Sequence, residues 1–375
     1  MWSDPAAASA FASRDLPTIL RAYRAINNLS QLELARLLDY DKSYIAMIET
    51  GKRSFDGVRA RQHLAHRLRL PYHLLGVTDP DDADFAALVQ FGDSVIRLAN
   101  IARQAGRAVD AVNELWPLVA RLEARAAEGR LDPHTLRLLA HGRLSLGVSL
   151  GTVLPEERLT GAAVWTGKAL LLARHLDDPA FLGHTLRMHG NELRKAERLP
   201  AAIARLDHAT AIATTPEDRG TAFALLARAA GEARNEPRFA VAISECRRVL
   251  DAIAHHDGML LNPFSLREIH ARGLLALDRP APALQILSRP AASDATAPQW
   301  QVIEHVTHGE TLAATGDRPG ATEVLKDAVV AAEQRRLPHQ LQRVLRAADH
   351  HDLDTVSAYG HNALERLRAL LAPTG

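Results

Sequence analysis

A single cysteine, Cys246, stands in the 375-residue sequence, which excludes an intrachain disulfide framework and a multi-cysteine zinc site. A lone thiol suits a reducing compartment, and a cytoplasmic protein is expected. Aromatic residues are sparse at 5%. Beyond residue 76 the alternation of β-branched and polar residues that marks a half-buried strand is nearly absent. No apolar run approaches the roughly 18 residues of a membrane span, so no membrane partner is expected. The opening MWSDPAAASAFASRD has no cationic start and no apolar block, and it reads as a flexible arm over residues 1–14 rather than a leader. Lysine is scarce too, at positions 42, 52, 168, 195 and 326 only, so arginine carries most of the positive charge. With abundant alanine, that bias points to a GC-rich bacterial genome.

Overall charge is +1 and excludes little, but its distribution is uneven. Residues 1–76 hold 11 Lys and Arg against 7 Asp and Glu, a net of +4; the remainder holds 34 against 37, a net of −3. A basic head on a slightly acidic body fits a nucleic-acid-binding module joined to a part that does not bind nucleic acid.

Residues 29–53, LSQLELARLLDYDKSYIAMIETGKR, carry the strongest local pattern. Leu32, Leu34, Ala35, Leu37 and Leu38 give a first short helix its apolar face. Asp39-Tyr40-Asp41 makes a turn, and Asp41 can cap a second helix by accepting from its free N–H groups. Ile45 and Ile48 pack inward from that second helix. Two short helices sharing a seam, the second polar and partly basic, make a helix-turn-helix. The stretch resembles the Xre/lambda-repressor-type DNA-binding family over about residues 15–76. Leu29-Ser30-Gln31, Leu34-Ala35 and Ile48-Glu49-x-Gly51-x-Arg53 carry the likeness. Where that family usually has a small residue, often Gly, this chain has Asp39, a residue that tolerates left-handed backbone.

The DNA-contact residues expected from this pattern are Gln31, Lys42, Ser43, Tyr44, Met47, Lys52 and Arg53. Gln31 can bond a phosphate at a helix N-terminus. Lys42 and Ser43 open the helix that enters the major groove, where Lys42 can donate to guanine. Tyr44 and Met47 can touch a thymine methyl or the backbone; Tyr44 can instead shield the seam. Lys52 and Arg53 suit phosphates, with Arg21 and Arg24 on the preceding helix assisting. Glu49 reads as structural, bonded within the module.

After the acidic, proline-bearing linker 77–84, helical spacing dominates. Gly190, Leu193, Ala202, Leu206 and Ala209 fall where tetratricopeptide repeats carry their small and large signature residues. The same phase returns in Ala230/Ala242/Cys246, in Ala271/Leu274/Ala283/Leu287, in Gly309/Leu312/Ala321/Leu325/Ala328 and, more faintly, in Gly151/Leu154/Ala163. Alanines 163, 202, 242, 283 and 321 are spaced by 39, 40, 41 and 38 residues, longer than the common period of about 34. The fold class expected is all-α: a five-helix Xre-type module over 15–76, a TPR-like α-solenoid over 85–338 and capping helices over 339–375. A plain Ala-rich bundle is the alternative. Asp84 to Gly129 reads as an atypical first helix pair that Trp116-Pro117 interrupts.

An Xre module with such a tail resembles the RRNPP-type peptide-sensing regulators. The resemblance implies a short peptide on the solenoid's concave face, its backbone gripped by an inner-helix Asn, whose amide both donates and accepts. Asn191, next to Gly190, is that candidate. Arg187 and Arg194 share its face at helical spacing and could hold a carboxylate in bidentate fashion. Equivalent positions in later repeats are Arg228, Glu268, Arg272 and Glu310. The expected function is a bacterial transcriptional regulator. It binds a double-stranded DNA operator, senses a peptide or small-molecule ligand, and forms a homodimer. The alternative is a DNA-localised adaptor whose solenoid binds a protein partner. Gly161-AAVWT-Gly167-Lys168 lacks phosphate-loop spacing, the His pairs have no metal-site pattern, and no nucleophile–base set stands out. No cofactor, no metal and no enzymatic activity are expected.

Overall fold

The computed structural model describes residues 10, 13, 15–55, 57–79, 84–129, 131–253, 260–289 and 298–371. Most of the arm expected at 1–14, part of the linker expected at 77–84, and His255-His256 lie outside them. All regular structure among the described residues is helical. The chain divides into two compact units, residues 1–93, 116–139 and 368–375 in one and residues 94–115 and 140–367 in the other.

In the first unit, α1 (Leu16–Ile26), α2 (Gln31–Leu38), α3 (Lys42–Glu49) and α4 (Val58–Leu68) precede a 3-10 turn at Tyr72–Leu75. Local chemistry sets their ends. Asp15 accepts from the Thr18 N–H at 3.1 Å, and Pro17 adds a pre-set φ to the first turn of α1. Ser30 and Glu33 form a reciprocal capping box on α2, at 3.2 and 2.7 Å. Asp39 ends α2 in the left-handed region at φ 57°, ψ 39°, as its short side chain allows. Asp41 caps α3 at the Ser43 N–H, 2.8 Å away. Ile19, Leu20, Leu34, Leu38, Ile45, Ile48, Leu64 and Leu68 fill the core with at most 1% exposure. Each such burial contributes about 1.5–3 kcal/mol, which holds helices of only eight residues in place.

Three long helices follow, α5 (Asp84–Gln104), α6 (Ala108–Ala127) and α7 (Pro133–Val153). The expected break at Trp116-Pro117 does not occur: α6 runs through Pro117. By length and composition α5 is apolar enough to cross a membrane, although Asp93 and Arg97 interrupt it; the sequence reading had found no apolar run of that length.

The second unit is a stack of helix pairs. After a 3-10 turn at Glu156–Arg158 and α8 (Leu159–Ala173), the pairs are α9 (Pro179–Lys195) with α10 (Leu199–Ala211), α11 (Pro216–Glu232) with α12 (Glu236–Ala252), and α13 (Pro263–Ala276) with α14 (Pro280–Leu287). Then come α15 (Pro298–Ala314) with α16 (Arg318–Gln334), α17 (Pro338–His350) and α18 (Asp354–Leu371). The leading helices α9, α11, α13, α15 and α17 each contact the next and form one layer. Prolines open the helices because the first-turn N–H groups have no intrahelical partner to lose. Asp178, Thr215, Asn235, Asn262 and Asp317 cap them. Between partners the chain reverses through left-handed residues, and three of these are not glycine: Glu197, Arg234 and Asp278, at φ 58°, 54° and 58°.

The signature positions meet as the repeat pattern requires. A Cβ on Gly190 would lie 2.7 Å from Leu206 Cγ, so only glycine lets α9 and α10 approach this closely. Ala202, Leu206, Ala230, Ala242, Cys246, Ala271, Leu274, Ala283 and Leu287 share one buried cluster. The faint first set is corrected. Gly147, not Gly151, faces α8, against Thr166 and the Ala162 carbonyl, whereas Gly151 faces the Glu192 carboxylate and Lys195. The helical phase was therefore read one turn too late.

The two ends of the stack touch. Gln342 on α17 accepts from the Glu156 N–H at 2.8 Å and donates to Glu157 at 3.0 Å, and Arg346 pairs with Glu156. Residues some 185 positions apart thus close the leading-helix layer around an interior space.

Candidate nucleic-acid interface and ligand cavity

On α3, Lys42 and Ser43 are exposed at the N-terminus, with Lys52 and Arg53 exposed just past its end. Ser43 Oγ donates to Asp41 at 2.6 Å, so it offers lone pairs to a partner. Tyr44 and Met47 are half-buried. Tyr44 packs against Tyr40 and Phe55, with ring centroids 5.2 and 6.2 Å away, and the Arg53 guanidinium lies 4.7 Å above its ring. Tyr44 therefore shields the seam and also holds a cation in position.

Behind this surface lies a small polar core. Glu49, 4% exposed, takes a bidentate pair from Arg24 at 2.6 and 3.0 Å and a hydrogen bond from the Gln31 amide at 2.7 Å. Burial pushes the Glu49 carboxyl up, but Arg24 and Gln31 outweigh it and hold it below the usual carboxylate range. Gln31 has a second amide N–H beyond this bond. Arg24 is corrected from a DNA contact to a strut, since it also donates to the Leu29 carbonyl at 3.1 Å. Residues 20–61 match the helix-turn-helix family. That match covers the motif and its flanks within this module.

The second unit holds a cavity of about 840 Å³ inside the leading-helix layer, within the size range of ligand pockets. Arg187, Asn191, Arg194, Arg228 and Arg272 all line it. Glu268 and Glu310 do not, and only Glu310 bonds directly to a lining residue. Glu268, fully buried, accepts from Thr307 at 2.8 Å, and Glu310 accepts from Arg343 at 2.7 Å.

The lining cations are mostly committed. Arg187 pairs with Asp218 at 2.6 Å. Arg194 and Arg272 share Glu232, at 2.6 and 2.7 Å. Lys195 pairs with Glu192 at 2.9 Å and donates to the Gly151 carbonyl. Asn191 Oδ1 accepts from Arg194 Nε at 3.2 Å, and its Nδ2 donates to Glu192 at 3.4 Å. Burial would lift the Glu232 carboxyl, yet Arg194, Arg272 and Arg228 together hold it low. His339 is driven well below its ordinary value, first by burial and then by Lys195 and Arg343, so its imidazole is neutral; its Nδ1 has no partner among the described residues.

Sequence reasoning did not reach Arg103, Glu232, Trp300, His339 or Arg343. Glu232 had a usable signal, since it sits four residues after Arg228 on the same helix face. His339 and Arg343 fell in a segment read as a cap, although α17 continues the leading-helix layer. The suspected phosphate loop is no loop: residues 161–168 lie inside α8, with Lys168 over the Trp165 ring at 4.4 Å.

No curated protein matches the sequence. A crystal structure of Bacillus thuringiensis PlcR in complex with the peptide PapR7 and DNA is similar, at 14% identity and a TM-score of 0.33, over 88% of this chain and 99% of that one. A superposition this loose assigns neither fold nor ligand to this chain.

Proposed function

We propose that this protein is a transcriptional regulator that binds an operator in double-stranded DNA through α3 and binds a short peptide in the solenoid cavity. The observation that carries the reading is the pairing, in one chain, of a helix-turn-helix motif with a half-open cavity lined by both charged and apolar side chains. On α3, the N-terminal Lys42 and Ser43 reach base edges, while Lys52 and Arg53 hold phosphates. The cavity offers Asn191 for a peptide unit, hydrogen-bonding cations, and apolar surface from Leu225, Met188 and Trp300. That mixture suits an extended peptide better than a purely apolar metabolite.

The protein acts as a homodimer, because two modules on a palindromic site multiply specificity through linked binding. Ligand in the cavity favours one curvature of the leading-helix layer, which changes the separation of the two modules; this requires unequal affinity for the two shapes. Footprinting of the full-length protein on genomic fragments, with and without conditioned medium from the source organism, tests the reading. A protected palindrome whose occupancy responds to the medium supports it. Indifference to every fragment at about 50 mM salt, with or without medium, refutes it.

A further inference from the structure

Three arginines of the cavity lining, Arg103, Arg187 and Arg228, have a buried Nε with no partner among the described residues; Arg187 is paired with Asp218, and Arg228 is more deeply buried than Arg103. Arg228 is only 8% exposed, yet among the described residues no carboxylate and no hydrogen-bond acceptor meets its guanidinium, and its Nε is buried without a partner. Buried arginines are normally satisfied, because an unpaired charge away from water is costly. The surroundings make the vacancy worse. Arg194 and Arg272 lie near enough to repel it, and the carboxylate that could answer, Glu232, is already shared between those two arginines. Glu268 attracts it from a distance but is hydrogen-bonded to Thr307. What fixes Arg228 is an aromatic face: its guanidinium carbon lies 5.2 Å from the centre of the Trp300 ring. Trp300 is itself 6% exposed and comes from α15, two leading helices along. The stack presents a planar, five-donor fork to the cavity. Arg187 and Arg194, the arginines first expected to take an anion, are instead neutralised by the protein itself.

We propose that the cavity recognises a carboxylate on its ligand and that Arg228, braced by Trp300, is the residue that receives it. The inference rests on the reading of the cavity as a peptide site and names the part of the peptide that the site requires. A carboxylate accepts two parallel N–H bonds from one guanidinium, replaces the missing anion and offsets the repulsion from Arg194 and Arg272. Two sources share this chemistry: the peptide's C-terminus and an Asp or Glu side chain.

The test uses full-length protein and two synthetic pools of random heptapeptides, one with free C-termini and one amidated, with retained peptides sequenced by mass spectrometry. Wild type should retain free-acid peptides, and Arg228→Gln should retain about 10- to 100-fold less at an unchanged melting temperature. Should Arg228→Gln fail to fold, the wild-type comparison between the pools still decides. Loss of retention on amidation assigns the C-terminus. Retention of amidated peptides enriched in Asp or Glu, and lost in Arg228→Gln, assigns a side chain. Equal retention of both pools without acidic enrichment overturns the carboxylate and leaves the peptide site standing. Retention of neither pool by wild type overturns the peptide site itself, and the carboxylate with it.

Discussion

Gly231→Ala should destabilise the helix-pair stack and loosen the cavity wall together, because one contact controls both. A Cβ on Gly231 would lie 2.9 Å from the Gly273 Cα, a backbone atom that cannot rotate away. Helices α11 and α13 would have to separate by several tenths of an ångström. Overpacking of this kind costs about 1–3 kcal/mol. Replacing a mid-helix glycine returns roughly 0.5–1 kcal/mol of backbone entropy. The net expectation is a loss of up to about 2.5 kcal/mol, centred on about 1 kcal/mol. The same helices carry Glu232 and Arg272, whose 2.7 Å pair spans the gap being widened. Gly161→Ala is the internal control: it is helical and exposed, and its Cβ meets nothing within 4 Å, so only the entropy gain applies. Urea unfolding of the full-length variants, followed by circular dichroism, should show Gly231→Ala below wild type and Gly161→Ala at or above it. If both variants shift upward by the same amount, the close approach of α11 and α13 does not exist as described.

Three further outcomes are expected. Glu49→Gln should cost the first unit about 1–3 kcal/mol by leaving the Arg24 charge half-buried without its partner. The same pair sets a pH window: a depressed carboxyl stabilises fully above about pH 4.3 and loses that contribution as pH falls through its lower folded value. Acid titration of the first unit's unfolding should lose that slope in Glu49→Gln. In DNA binding, Lys42→Ala should relax sequence preference at a cost of about 1–3 kcal/mol, whereas Arg53→Ala should weaken all sequences and flatten the salt slope by about one; electrophoretic mobility shifts across a salt series separate the two, and equal effects on specificity would defeat the assignment. Finally, His189, 9% exposed and bonded to Thr166 at 3.0 Å, is pushed down to about 4, chiefly by burial. The unfolded imidazole takes its proton near pH 6.5, so this contribution is complete above that value and declines as pH falls toward 4. Melting of His189→Asn should be less pH-dependent across that window than melting of wild type.

Much of the architecture was legible because it is written in short-range chemistry. Asp41 as a cap, Asp39 in a left-handed turn and the Leu34/Ile45/Ile48 seam depend on neighbours within a few residues, and the structure has each of them. The Ser30–Glu33 capping box was equally visible as S-x-x-E and went unread. The repeat was legible through small residues such as Gly190 and Ala202, since close helix approach excludes larger ones. The left-handed turns at Glu197 and Arg234 were not, because Glu and Arg carry no turn signal, whereas Asp278 is a residue type that tolerates that region and went unread.

By itself, then, the sequence determined the local elements: where helices begin, which faces are apolar, and that α2 and α3 form a helix-turn-helix. Tertiary structure alone decided which charges are spent and which are left over. Arg187 and Arg194 share a helix face with Asn191, but their states depend on Asp218 and Glu232 from the next leading helix. Arg228 is left without an anion because Glu232 is drawn to two other arginines and Trp300 arrives from α15. Periodicity fixes direction from a helix axis over a few residues. Ion pairing depends on distances between helices tens of residues apart, and those exist only once the stack has closed on itself.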